Sequence, residues 1–292
     1  MLKTYVVEGG IGKCVAFSAL IPKLKERDGE EIQIYTPYID VFSGNPDVKW
    51  VIDQSTVPYQ DERIQASDEI VFCEPYKSNF VKGEKHLIQA YADLLGVEYD
   101  PKKDKPKLYT DNLKADVDKL LSENNINKFI IVQFSGGQSP IGFNGQNQYM
   151  SIDPGRNYHP FLASALISMI KQQHPDLTIF NFSLPNEPTY EGTVRPEIPF
   201  TIWHELLKKA ETFVSIDSSL QHFSASADKK GVVLWGSTGW NQLGHSHNVN
   251  MNYFMKDKWE KEKFIPVDPR NLMVDPATVA AEVTKLIKKD SK

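Results

Sequence analysis

Four stretches of this chain bring polar and flexible residues together in patterns that suit ligand chemistry. The first is Glu8-Gly9-Gly10-Ile11-Gly12-Lys13, straight after a short apolar run. Its glycines let a ligand approach the backbone, and the helical pattern that follows would offer free N–H groups to an anion. The Gly-Gly-x-Gly order is neither a dinucleotide fingerprint nor a Walker loop. A plain turn and a ligand loop therefore stand as equal readings. Lys13, protonated near neutral pH, could contact a phosphate or an anionic acceptor. Glu8 is the adjacent carboxylate that could serve as a base. The second stretch, QFSGGQSPIGFNGQ (133–146), offers Ser135, Gly136 and Gly137 after a buried strand, with Arg156 downstream as a permanent cation. Such a loop suits an anion or a sugar; the alternative is an ordinary surface loop.

The third, SIDSSLQHFSASA (215–227), ends a strand in Asp217, follows it with Ser218 and Ser219, and carries His222 one helical turn on. Either serine can cap the helix, whose first turn then favours a phosphate. Asp217 is a second candidate base, or a residue that holds its loop. The fourth places Gly236, Ser237 and Thr238 after another strand, followed by His245 and His247. Two alternate histidines with no nearby carboxylate or cysteine do not make a metal site, so no metal is expected.

Strands and helices must carry these loops. Apolar runs at Tyr5–Val7, 31–35, 49–52 and 69–72 alternate with helical patterns at Lys13–Arg27 and Lys85–Leu95. The charged, proline-bearing stretch 98–111 reads as a solvated linker. Helix 115–123, strand 128–135, helix 159–173, strand 177–183, helix 200–210, strands near 212–219 and 231–238, and a final helix at 276–289 follow. This β-then-α rhythm predicts parallel sheets covered by helices on both faces. Ligands of such sheets bind beyond the carboxyl ends of the strands, where all four loops would lie.

The chain has 292 residues, room for two ordinary domains, and its net charge of −5 argues against bulk attraction to nucleic acid. No apolar run is long enough for a transmembrane helix. Met1-Leu2-Lys3-Thr4 is expected to begin a strand, not a leader. Only Cys14 and Cys73 occur, which excludes a disulfide framework and points to a reducing, cytoplasmic setting.

The third and fourth loops, with the strand before them, resemble the C-terminal signature of glycosyltransferase family 9, the bacterial heptosyltransferases. That signature has a strand ending in Asp-Thr-Gly or Asp-Ser-Gly, a histidine, small residues and a strand ending in Gly-x-Thr. Here it falls on Asp217, Ser218, Ser219, His222, Ala225, Gly236 and Thr238. GGIGKCVAFSALIPKLKER (9–27), the segment 32–52 with Asn45-Pro46-Asp47, 85–97 with His86 near its start, and GRNYHPF (155–161) resemble further family segments in order. The sequence departs from the pattern at three places. Lys13 stands where the family's glycine loop ends in Asp, its proposed base; Ser219 replaces a glycine; and 138–150 has no clear counterpart.

The resemblance implies an α/β GT-B architecture of two Rossmann-like domains with parallel sheets facing a central cleft. The expected division is 1–110 for the acceptor, 111–275 for the nucleotide-sugar, and a helix at 276–292 that packs back on the first domain. It implies metal-independent sugar transfer with inversion, using a nucleotide-sugar as co-substrate and no other cofactor. Catalysis is assigned to Glu8, Asp217 and Lys13. Donor phosphates are assigned to Ser135, Gly136, Gly137, Arg156, Ser218, Ser219, His222, Ser237 and Thr238, and the acceptor side to Gly9, Gly10, Gly12 and His86. The acceptor is a bacterial surface glycan or, in a bacteriophage enzyme, hydroxymethylated cytosine in DNA. The latter is motivated by Lys77, Lys82, Lys85, Lys102, Lys103, Lys105 and Lys107. A non-catalytic nucleotide-sugar-binding relic, or an unrelated protein such as a sugar-nucleotide epimerase, are the remaining readings.

Overall fold

A computed structural model describes residues 2–29, 31–77, 80, 82–136, 157–185, 187–236, 238–252 and 274–290. The chain divides into two compact units, Met1–Asn112 and Leu113–Lys292.

The first unit runs β1 (Leu2–Val6), α1 (Ile11–Ser18), α2 (Ile21–Asp28), β2 (Glu31–Thr36), β3 (Val48–Asp53), α3 (Glu62–Gln65), β4 (Glu69–Phe72) and α4 (Leu87–Leu95). The four strands are parallel, in the order β3-β2-β1-β4. Strand β1 lies inside the sheet, and its Thr4, Tyr5 and Val6 are buried, as in a parallel strand covered on both faces. Val6 packs with Tyr35, Ile52 and Ile64. Tyr5 lies near Phe17, which meets Phe42 and Tyr91 edge-on at ring distances of 6.1 and 5.5 Å.

The single helix expected over 13–27 is two helices. Pro22 lies in the first turn of α2. A continuous helix would need its missing N–H and would drive its ring into the Ser18 carbonyl. The stretch expected as a solvated linker is also partly packed. Pro106, Leu108 and Thr110 are buried, and Lys107 N donates to Ser18 Oγ at 2.9 Å. Its lysines had hidden that alternation.

The second unit runs α5 (Lys114–Glu123), β5 (Phe129–Gln133), α6 (Pro160–Gln173), β6 (Thr178–Asn181), α7 (Phe200–Lys209), β7 (Phe213–Ile216), α8 (Ser219–Ser226), β8 (Val232–Leu234), α9 (Trp240–Leu243), β9 (Val249–Met251) and α10 (Pro276–Asp290). Its five strands are again parallel, ordered β6-β5-β7-β8-β9. Strand β9 has three residues and two asparagines close by, too short and polar to announce itself. One core joins β5, β7 and β8 to α6 and α10 through Ile130, Leu166, Val214, Val232 and Val283. The final helix packs on α6 and reaches β8. There Thr284 Oγ1 donates to Gln173 Oε1 at 2.7 Å and lies 3.0 Å from His174 Nε2.

Candidate functional site

Each sheet has one place where successive connections turn opposite ways. It lies between β1 and β4 in the first unit and between β5 and β7 in the second. Ligands of open α/β sheets settle at the carboxyl edge of such a point.

In the second unit, Ser135 and Gly136 follow β5, and Asp217 and Ser218 follow β7. The structure brings these two loops together: a Cβ on Gly136 would lie 3.1 Å from Ser218 Cβ. Ser218 is the N-cap of α8, yet its side chain makes no capping bond. Its hydroxyl donates instead to Gln133 Oε1, which also accepts from Leu220 N at 3.2 Å. Gln133 thus caps α8 from a neighbouring strand. A glutamine closing the otherwise apolar run FIIVQ was its only sequence signal. Gly136 N donates to Asn157 Oδ1 at 3.1 Å, which ties the β5 loop to the segment before α6.

His222 is 5% exposed and held inside the protein. Gln221 Nε2 sits 2.9 Å from His222 Nε2 and also donates to Leu243 O. The amide nitrogen is therefore the donor, His222 Nε2 accepts, and the ring carries its proton on Nδ1. That proton faces His245 Nε2 at 3.2 Å. His247 lies beside His245, with rings 5.9 Å apart, and reaches Ser224 Oγ at 3.3 Å. Among the described residues no three such side chains converge as metal ligands. Thr238 follows β8, and its buried hydroxyl has no hydrogen-bond partner among the described residues. Gly137, Arg156 and Ser237 lie outside them.

In the first unit, Gly9, Gly10 and Gly12 form the turn between β1 and α1. Glu8 is exposed and accepts from Gln54 Nε2, just beyond β3. It therefore leans away from the β1–β4 crevice. Lys13 leans into it: its Nζ lies 3.1 Å from both carboxylate oxygens of Glu74 and 4.3 Å from the centre of the Tyr76 ring. Sequence reading missed Glu74 because its partner is far away along the chain. His86 is the N-cap of α4, its Nδ1 accepting from Ile88 N at 3.3 Å. Burial pushes the Cys14 thiol up to about 12, so it stays protonated and is no nucleophile.

Residues 181–271 match the model of glycosyltransferase family 9 (heptosyltransferase). The matched stretch covers about a third of the chain. It contains Asp217, Ser218, Ser219, His222 and Thr238. A search of curated proteins by sequence returns no significant match. Solved structures share the fold over nearly the whole chain. A glycosyl transferase family 9 protein from Veillonella parvula superposes with a TM-score of 0.69 at 9% identity, covering 99% of this chain and 97% of its own. The E. coli ADP-heptose lps heptosyltransferase II gives 0.65 at 12% identity, with both chains fully covered. E. coli heptosyltransferase WaaC with ADP gives 0.61 at 10% identity, covering 98% of this chain and all of its own. The chain thus has the two-unit GT-B fold of the heptosyltransferases, and the match over 181–271 supports a nucleotide-sugar-dependent glycosyltransferase.

Proposed function

We propose that this protein transfers a sugar from an ADP-sugar of the ADP-heptose class to a hydroxyl of a bacterial surface glycan, with inversion. One observation carries the donor half: the family 9 match spans the β7 loop, at the switch point of the second sheet. Structural relatives hold ADP or an ADP-heptose analogue, and one acts on lipopolysaccharide by its name. In this reading the start of α8 and the Thr238 hydroxyl receive the diphosphate, with Ser135 and Gly136 beside them; the Gly136 and Leu220 N–H groups are already held by Asn157 and Gln133. Gly137, Arg156 and Ser237 join them on sequence grounds. Oriented donors of this kind stabilise negative charge as the diphosphate leaves, without having to reorganise. His222 acts through His245 and Gln221 on the order of that loop. Gly9, Gly10 and Gly12 give the acceptor access to the first unit's backbone, with Lys13 next to them and His86 at the start of α4.

A nucleic-acid acceptor is the weaker reading. Lys85 is paired with Asp93 and Lys103 with Asp100, so part of the lysine charge that motivated it is neutralised. Transfer is tested by incubating the protein with ADP-heptose and heptose-deficient lipopolysaccharide, with hydroxymethylated duplex DNA in a parallel tube. The expected result is glycan heavier by one sugar and unchanged DNA. Modified DNA with unchanged glycan would replace the acceptor, and no product in either would refute the transfer reading.

A further inference from the structure

The first unit's crevice, between β1 and β4, is reached by two loops. One is the glycine turn with the start of α1. The other follows β4, where Cys73 N donates to Val6 O at 2.9 Å as the last rung of the ladder. Glu74 is the next residue, at the crevice mouth. Lys13 Nζ contacts both its oxygens, and Tyr76 N donates to Oε1 at 3.0 Å. Among the described residues Oε1 therefore accepts two hydrogen bonds and Oε2 one, which leaves Oε2 a lone pair. The side chain is 33% exposed, so that lone pair is within reach of a ligand, while Lys13, at 11%, is pinned between the carboxylate and the Tyr76 ring. Glu8, the carboxylate that the sequence favours, turns toward Gln54 beyond β3.

We infer that Glu74 is the catalytic base, its carboxylate oriented by Lys13. This rests on the proposed function. Oε2 takes the proton of the acceptor hydroxyl as that oxygen forms its bond to the anomeric carbon of the donor. The bond from that carbon to the diphosphate oxygen breaks, and its electron pair leaves with the nucleoside diphosphate. Solvent then takes the proton from Glu74. Among the described residues, the groups that interact with Glu74 are Lys13 from α1, Tyr76 beyond β4, and Tyr91 from α4. The Tyr91 hydroxyl is pushed far up, chiefly by burial and partly by nearby acidic groups including Glu74. Cys73, the residue before Glu74, keeps its thiol protonated through burial, as does Cys14, the residue after Lys13.

The test follows ADP release from ADP-heptose with heptose-deficient lipopolysaccharide as the acceptor probe. Glu74→Gln is expected to lower kcat about 100-fold or more, the scale of a lost general base. Its affinity for ADP and its melting temperature should stay close to the wild type. The low-pH limb of the kcat profile should vanish in Glu74→Gln and persist, with reduced rate, in Glu74→Asp. Lys13→Met is expected to lower kcat with an unchanged affinity for ADP, and Lys13→Arg to restore part of the rate because a cation again orients the carboxylate; a purely structural pair would lower the melting temperature instead. A Glu74→Gln protein with wild-type kcat and an unchanged limb overturns the role of Glu74 and leaves the proposed function standing. A wild-type protein that binds ADP but releases none from the donor overturns the transfer reading and this inference with it.

Discussion

Gly9 sits at φ +97°, and a Cβ there would lie 2.7 Å from Lys13 Cδ. Both the backbone and the lysine therefore require glycine. Gly9→Ala is predicted to destabilise the protein by about 1–3 kcal/mol in urea unfolding, the scale of one residue forced into such a conformation. At Thr238 the argument concerns a ligand. A buried hydroxyl without a partner among the described residues carries a standing cost that a bound phosphate would relieve. A hydrogen bond to a charged group contributes about 1.5–3 kcal/mol, so Thr238→Val should weaken ADP binding about tenfold or more by calorimetry. Unchanged affinity would remove Thr238 from the donor site. At this scale the sequence was half legible. The residue types around β5, β7 and β8 mark a polar edge, but a side chain's partner is set by the fold. Nothing along the chain joins Lys13 to Glu74, or Ser218 to Gln133.

At the next scale, α2 shows how an element is fastened. It ends in Asp28, a carboxylate at the negative end of a helix dipole and so unfavourable on its own. Arg27 Nε donates to it at 2.7 Å, Tyr5 Oη at 2.5 Å and Lys3 Nζ at 3.1 Å. Hydrogen bonding from Arg27, then from Tyr5 and Lys3, holds the Asp28 carboxyl well below the usual range. A group depressed in the folded state stabilises above its unfolded pKa of about 3.9, and that contribution is lost as pH falls below it. Asp28→Asn should therefore cost about 2 kcal/mol at pH 7. The difference from wild type should shrink as pH drops through 4 toward 2; a gap independent of pH would show that charge is not its cause. Most elements were legible because the buried parallel strands are mainly apolar and their helices keep a helical period. The helix break at Pro22 was written in the sequence and overridden by the apolar period on either side. The buried alternation of 106–110 was masked by lysines, whose stems and charges stay outside.

The whole chain combines two α/β units of the same design, each with its loops at one carboxyl edge. The family 9 match covers one stretch of the second unit, whereas the structural likeness extends over nearly all of the chain. With a net charge of −5, the protein gains little from bulk attraction to a polyanion. If a glycan is the acceptor, kcat/KM should change little between low and physiological salt. A DNA acceptor would show a steep decline from counterion release. The central claim is that the second unit binds an ADP-sugar. Its most direct test is the melting temperature in the presence of ADP, UDP, GDP and CMP and of ADP-heptose. A ligand that binds only the folded state at about 100 times its Kd adds about 2.7 kcal/mol. The account predicts a clear rise with ADP and ADP-heptose and little with the other nucleotides. No rise with any of them would contradict it.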